Sequence, residues 1–210
     1  MSRYFKYNYL NPNNFGTRRQ FFRHRGCATD HSKHYHLDNL DNWPDPSEKG
    51  NWVLEKSCFI AAPIIIEEGQ TLCIADAVRL TLYGHGSQGP GNARIIVKGR
   101  LNIWGELLCV PSAVGTDLLN VNEGGHIQIE KTGILENFRS TQNFMYGTIN
   151  SSGTFINKGL ITNKGRIIIA GQHVLDNEGY INCTNGGCIE GVVTGSGTTT
   201  GCDCPPPGGN

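Results

Sequence analysis

The chain has 210 residues, with 18 basic and 18 acidic side chains, so its formal charge is zero at neutral pH. That length supports one domain with a real core plus an appendage, and the balance excludes a global field aimed at nucleic acid or an anionic membrane. Charged residues are only 17% and glycine is 28 of 210, which speaks against a helical protein; no apolar run approaches the ~18 residues that would span a bilayer.

Residues 1–50 read as an extended arm and linker. The first 25 residues hold Arg3, Lys6, Arg18, Arg19, Arg23 and Arg25 and no acid, interleaved with Tyr4, Phe5, Tyr7, Tyr9, Phe15, Phe21 and Phe22. Such cations and rings would contact phosphates and stack on bases, but they are equally the anchors of protein interfaces. The field is modest and acids follow from Asp30 onward. The expectation is therefore an arm that docks onto neighbouring protein subunits through Tyr4, Phe5, Tyr7, Tyr9, Arg18, Arg19, Phe21, Phe22 and Arg23, with nucleic acid not the partner. The opening stretch has no apolar core, so no secretory signal is expected. Cys27, His31, His34 and His36 form a C-x3-H-x2-H-x-H pattern that would suit zinc. No CxxC pair accompanies it, and solvated or docking histidines are the alternative.

Residues 51–197 read as the body. Glycine falls at every sixth position from Gly147 to Gly171, and two residues after the first four stand Ile149, Phe155, Ile161 and Ile167. A period of six fits neither an amphipathic helix nor a meander. It fits a chain that extends, turns a corner and repeats, which is a β-solenoid. A β-sandwich would give many short strands but no fixed repeat. The fold expected is all-β, a single-stranded β-helix of about five coils, triangular with about 18 residues each. The coils run 63–84, 94–110, 118–138, 147–164 and 165–186, with a partial sixth at 188–197. Alternation places Leu101, Ile103, Ile127 and Ile129 inside, with Ile65, Leu72 and Leu80 comparable in the first coil. Gly, Asn and Asp are expected at corners because they tolerate left-handed angles. Asn150, Asn157, Asn163, Asn177 and Asn182 are candidates for amide ladders along the stack.

Residues 198–210 read as a Gly/Pro-rich tail. Of the eight cysteines, Cys73 and Cys109 lie in apolar strand-like runs and read as buried thiols. Cys183, Cys188, Cys202 and Cys204 would form either two disulfides or a thiolate metal site, clamping the tail to the last coil; free thiols are the alternative.

Catalytic constellations are sparse. A pectin-hydrolase-like site needs clustered aspartates; the chain has the Gly84-His85-Gly86 triplet but no Asp-Asp pair. Glu67, Glu68, Asp76, Glu130, Glu136 and Asp176 are scattered and mostly flank corners. His126 and His173 would share one side of the stack but stand about two rungs, ~10 Å, apart, too far for one metal. Asn150-Ser151-Ser152 and Asn182-Cys183-Thr184 match the glycosylation triplet, which arises readily by chance in an Asn-rich chain. No enzymatic role is expected.

The Asn-Gly texture of GTINSSGTFINKG (147–159), with the Asn- and Tyr-rich arm, resembles the β-helical minor capsid, vertex and fibre proteins of large DNA viruses over roughly 147–186. The resemblance implies a structural protein of capsid assembly, located in a virion. The coils are also similar to bactofilins, which implies end-to-end polymerisation as a scaffold; the cysteine-rich tail and aromatic arm depart from them. A glycan-binding or polysaccharide-cleaving β-helix is the alternative from another class.

Overall fold

The computed structural model describes residues 34–41, 43–60, 62–83, 93–111, 117–139 and 147–204. They form three parallel sheets. Sheet A stacks β1 (His34–Leu37), β2 (Gly50–Leu54), β5 (Gln70–Ile74), β8 (Arg100–Ile103), β11 (His126–Ile129), β14 (Thr154–Asn157), β17 (Val174–Asn177) and β20 (Val192–Thr194). Sheet B stacks β3 (Cys58–Ile60), β6 (Arg79–Tyr83), β9 (Glu106–Val110), β12 (Ile134–Asn137), β15 (Leu160–Asn163), β18 (Tyr180–Cys183) and β21 (Thr198–Thr200). Sheet C stacks β4 (Ile64–Ile66), β7 (Ile95–Val97), β10 (Asp117–Val121), β13 (Thr148–Ser151), β16 (Arg166–Ile169) and β19 (Cys188–Glu190). The chain visits A, B and C in turn, and each return lands one rung further along. This is the parallel β-solenoid that the hexad period predicts.

Six complete rounds run from β2 to β19, with β1 above them and β20 and β21 below. The round beginning at β2 precedes the first coil expected from the sequence. Its strand GNWVL breaks the alternation rule with three consecutive buried residues. The hexad region is in register as its period requires: Ile149 lies over Ile167, 18 residues on. Loops absorb the irregularity of earlier rounds, so Ile65 faces outward at 38% exposure while Ile64 and Ile66 face the core. That corrects the inward placement expected for Ile65: three isoleucines in a row carry no phase of their own. Leu72, Leu80, Leu101, Ile103, Ile127 and Ile129 are all buried as expected.

From β6 to β18 each strand turns two side chains inward. From β4 to β19 the first inward column on each face is apolar, for example Leu72, Leu101, Ile127, Phe155 and Leu175 on sheet A. The second column changes along the stack. On sheet A it runs Ile74, Ile103, Ile129, Asn157, Asn177; on sheet B, Leu82, Cys109, Asn137, Asn163, Cys183. Branched aliphatic side chains thus give way to buried asparagine.

The corner glycines are there for space rather than for backbone angle. Gly159 lies outside the left-handed region, yet a Cβ on it would stand 2.2 Å from the carbonyl oxygen of Gly133 and 2.3 Å from that of Glu130. Gly105, Gly165 and Gly179 are crowded by carbonyls of the preceding rung in the same way. The left-handed explanation offered by the sequence holds only at positions such as Gly124, where φ is +80° and nothing lies within 4 Å. At most corners the carbonyl of one rung points at the corner Cα of the next, and only a hydrogen fits between them.

Candidate functional site

Among the described residues, the clearest cluster of reactive chemistry is the C-terminal end of the stack. Cys183 ends β18 and is disulfide-bonded to Cys202; Cys188 opens β19 and is bonded to Cys204. The Cα–Cα separations are 4.9 and 4.8 Å, which is the spacing of neighbouring strands. Ile189 N–H also donates to the Cys202 carbonyl at 3.0 Å. The tail therefore lies one rung beyond β19 and is fixed there by two covalent bonds. Sγ atoms of Cys188 and Cys204 and a carboxylate oxygen of Glu190 lie within 4.8 Å of one another. Both sulfurs are bonded to each other rather than held as thiolates, and Glu190 is ion-paired with Arg166. Of the two clamps the sequence allows, this chain has the disulfide one.

The clamp is continuous with an amide ladder. Asn137 Nδ2 donates to Asn163 Oδ1 at 2.9 Å, and Asn163 Nδ2 donates to the Cys188 carbonyl at 2.9 Å and approaches Cys183 Sγ at 3.6 Å. On sheet A, Asn157 Nδ2 donates to Asn177 Oδ1 at 2.8 Å, and Asn177 Nδ2 donates to Thr199 Oγ1 at 3.1 Å. Each of these amides also accepts from the backbone N–H two residues on: Asn157 from Gly159, Asn163 from Gly165, Asn177 from Gly179. Asparagine is selected because one planar amide closes its own corner with the oxygen and reaches the next rung with the nitrogen. Asn137 differs, since the residue two places on is Arg139 rather than a corner glycine. Its Oδ1 is buried without a partner among the described residues.

Of the five asparagines the sequence proposes for ladders, Asn157, Asn163 and Asn177 are buried ladder members. Asn150 and Asn182 point outward instead. Asn150 Nδ2 donates to Asn120 Oδ1 at 3.0 Å on the outer face of sheet C, and Asn182 Oδ1 accepts from Thr200 Oγ1 at 3.3 Å. Sequence reasoning missed Asn120 and Asn137. The available signal was spacing: an asparagine two residues after an inward apolar side chain, as in Leu135 and Asn137, shares its face.

The opposite end is closed by packing. Trp43 Nε1 donates to the Ile65 carbonyl at 2.8 Å, which caps an outermost strand of sheet C. Tyr35 stacks on Trp52 at 5.3 Å, Trp43 lies 5.6 Å from Trp52, and Leu40 is buried beside them. Of these, Tyr35, Leu40 and Trp43 fall within the 1–50 segment, and β1 pairs with β2 in register.

The docking residues Tyr4, Phe5, Tyr7, Tyr9, Arg18, Arg19, Phe21, Phe22 and Arg23 lie outside the described residues, as do Cys27, His31 and the Gly84-His85-Gly86 triplet. His34 and His36 belong to β1. Cys109 is a buried free thiol whose pKa burial pushes up to about 12. Cys58 is also free, and burial raises its pKa as well. Cys73 is corrected: it is disulfide-bonded rather than a thiol. The apolar run around it signals burial equally well for either state.

The scattered acids stay scattered. Glu136 is on β12 of sheet B and Asp176 on β17 of sheet A, while Glu67 pairs with Lys98 at 3.1 Å and Glu130 accepts from Gln128 at 2.5 Å. His126 opens β11 and His173 precedes β17 two rungs away on the same sheet. Burial lowers the His126 pKa, and the charges of Arg100 and Lys158 act in the same direction. Its ring lies 3.4 Å from Gln128 Oε1, which opposes the shift. Among the described residues, no helix is long and apolar enough to cross a membrane. The chain matches no family model, no curated protein and no solved structure.

Proposed function

We propose that this protein is a non-enzymatic building block of a larger particle, a minor capsid or vertex/fibre component of a virion, in which the solenoid is the rigid body and the basic-aromatic arm docks onto neighbouring subunits. The observation that carries this reading is the pair of disulfides on the last rung. In a solenoid each rung contacts only its neighbours, so unwinding starts at an end. Crosslinking the terminal rung removes the easiest opening step, which suits a body that must hold its shape under load. The bonds also argue against the cytoskeletal alternative, since a reducing cytosol does not ordinarily maintain structural disulfides.

Removing residues 1–25 tests the reading, because it spares Cys27, β1 and the aromatic cap. The truncated chain is expected to keep the far-UV spectrum of the full chain. In cells that make the protein, it is expected to disappear from the fast-sedimenting particle fraction that retains the full chain. Co-sedimentation of the truncated and full chains in equal proportion would overturn the proposal.

A further inference from the structure

The outer face of sheet B is drier than the other two sides of the stack. In the rungs β8–β10 and β11–β13, sheet A turns Asn102 and Gln128 outward and sheet C turns Asn120 and Asn150 outward. At the same heights sheet B presents Leu108 and Ile134, and Leu160 and Tyr180 continue the Ile134 column over the next two rungs. Phe59 and Tyr83 meet edge to face at the upper end, with ring centroids 6.3 Å apart. Phe59, Tyr83 and Tyr180 are 68%, 48% and 41% exposed. Apolar side chains gathered where alternation would place polar ones mark a surface that is covered in use.

The charges on this face complement one another. Arg79 and Glu106 pair at 2.5 Å. That leaves Glu136 on β12 and Lys164 just past β15, whose Nζ lies 4.9 Å from the Phe138 ring centroid. Among the described residues neither is ion-paired. One unpaired acid and one unpaired base on adjacent rungs suit a second copy of the same face. The layout has the symmetry to match. β12 is the middle of the seven strands of sheet B. Leu108, Ile134 and Leu160 occupy β9, β12 and β15, with Phe59 and Tyr83 to one side and Tyr180 to the other. A two-fold axis along β12 lays β9 on β15 and β6 on β18 of a second copy. It also brings each Glu136 diagonally toward Lys164 of the partner subunit. Seven strands of about four residues span roughly 450 Å² in projection. Side-chain relief raises the accessible area toward the ~600 Å² per partner at the low end of stable interfaces.

We propose that the outer face of sheet B is the interface of a symmetric, antiparallel dimer of this chain. The two sheets pack face to face as in a β-sandwich, with the aliphatic centre dry and the Glu136–Lys164 pairs formed twice across the axis. The dimer stands independently of the particle reading; if that reading holds, it is the form in which the body is delivered to the assembly.

Sedimentation of the full chain at tens of micromolar tests the proposal, and a dimer is expected. Ile134→Glu should dissociate it with the far-UV spectrum unchanged, whereas Ile156→Glu, at an outward position on sheet A, should leave it dimeric. Glu136→Lys and Lys164→Glu should each weaken association by about tenfold or more, because each sets like charges opposite one another. Mixing those two variants should restore a heterodimer, which keeps the test open should Ile134→Glu fail to fold. A monomeric full chain would overturn the proposal. So would a dimer indifferent to Ile134→Glu, or a mixture no tighter than its components. Sedimentation of the purified chain needs no particle, so its failure is distinct from a failure of the arm to dock.

Discussion

Gly159→Ala separates the two physical reasons for a corner glycine. The added methyl would stand 2.2 Å from the Gly133 carbonyl oxygen, where real Cβ atoms keep 3.0 Å or more. The rungs must part locally by roughly 0.8 Å on a spacing of ~4.8 Å. Leu160 N–H donates to that same carbonyl at 3.0 Å, and Lys158 N–H donates to Ile129 at 2.8 Å. Opening the gap stretches both bonds beyond useful length, at about 1–3 kcal/mol for each buried group left unmet. A loss of about 3 kcal/mol or more is expected. Gly124→Ala is the comparison: its φ is +80° with nothing within 4 Å, so only the left-handed strain of about 1–2 kcal/mol applies. Urea unfolding followed by far-UV circular dichroism gives both values by linear extrapolation. Had glycine been chosen only for its angles, Gly159→Ala would be neutral, or stabilising by about 0.4–1 kcal/mol through the unfolded chain. That outcome, with Gly124→Ala the worse variant, would refute the close-approach account.

Three further outcomes follow from the ladder, the clamp and the buried thiol. Asn157→Ala should cost about 1–3 kcal/mol in the same urea assay, since it leaves the Gly159 N–H without its acceptor and removes one of the two donors to Asn177 Oδ1; Asn182→Ala, on the outer face, should stay within about 0.5 kcal/mol. Reducing the clamp should speed hydrogen exchange in β20 and β21 while leaving β8 to β12 protected, and should lower stability by about 2–4 kcal/mol per bond. Uniform acceleration would argue against a terminal brace. The Cys109 pKa is raised in the folded state, so the unfolded chain ionises first as pH rises. Its contribution to stability is complete below about pH 9 and is lost between there and about pH 12, at about 1.4 kcal/mol per pH unit. Urea midpoints of the wild type and Cys109→Val across that window should diverge, and parallel curves would contradict the burial.

The sequence by itself determined the solenoid and the phase of its lower rounds. A glycine every six residues, with an apolar residue two places on, permits one arrangement in which every apolar side chain stacks on another, and Ile149 over Ile167 follows from it. It also located the terminal cysteines, because a tail without hydrophobic residues needs another means of attachment. Tertiary structure decided what depends on the neighbouring rung. Alternation about Phe155 and Ile149 turns Asn157 in and Asn150 out, but whether an inward asparagine is tolerated is set by the stack, since the amide beside it must complete its hydrogen bonds. The same holds for Val53 and Cys73, which alternate with the inward Trp52, Leu54, Leu72 and Ile74 and are nevertheless buried: strand periodicity reports direction, whereas burial is decided by tertiary packing.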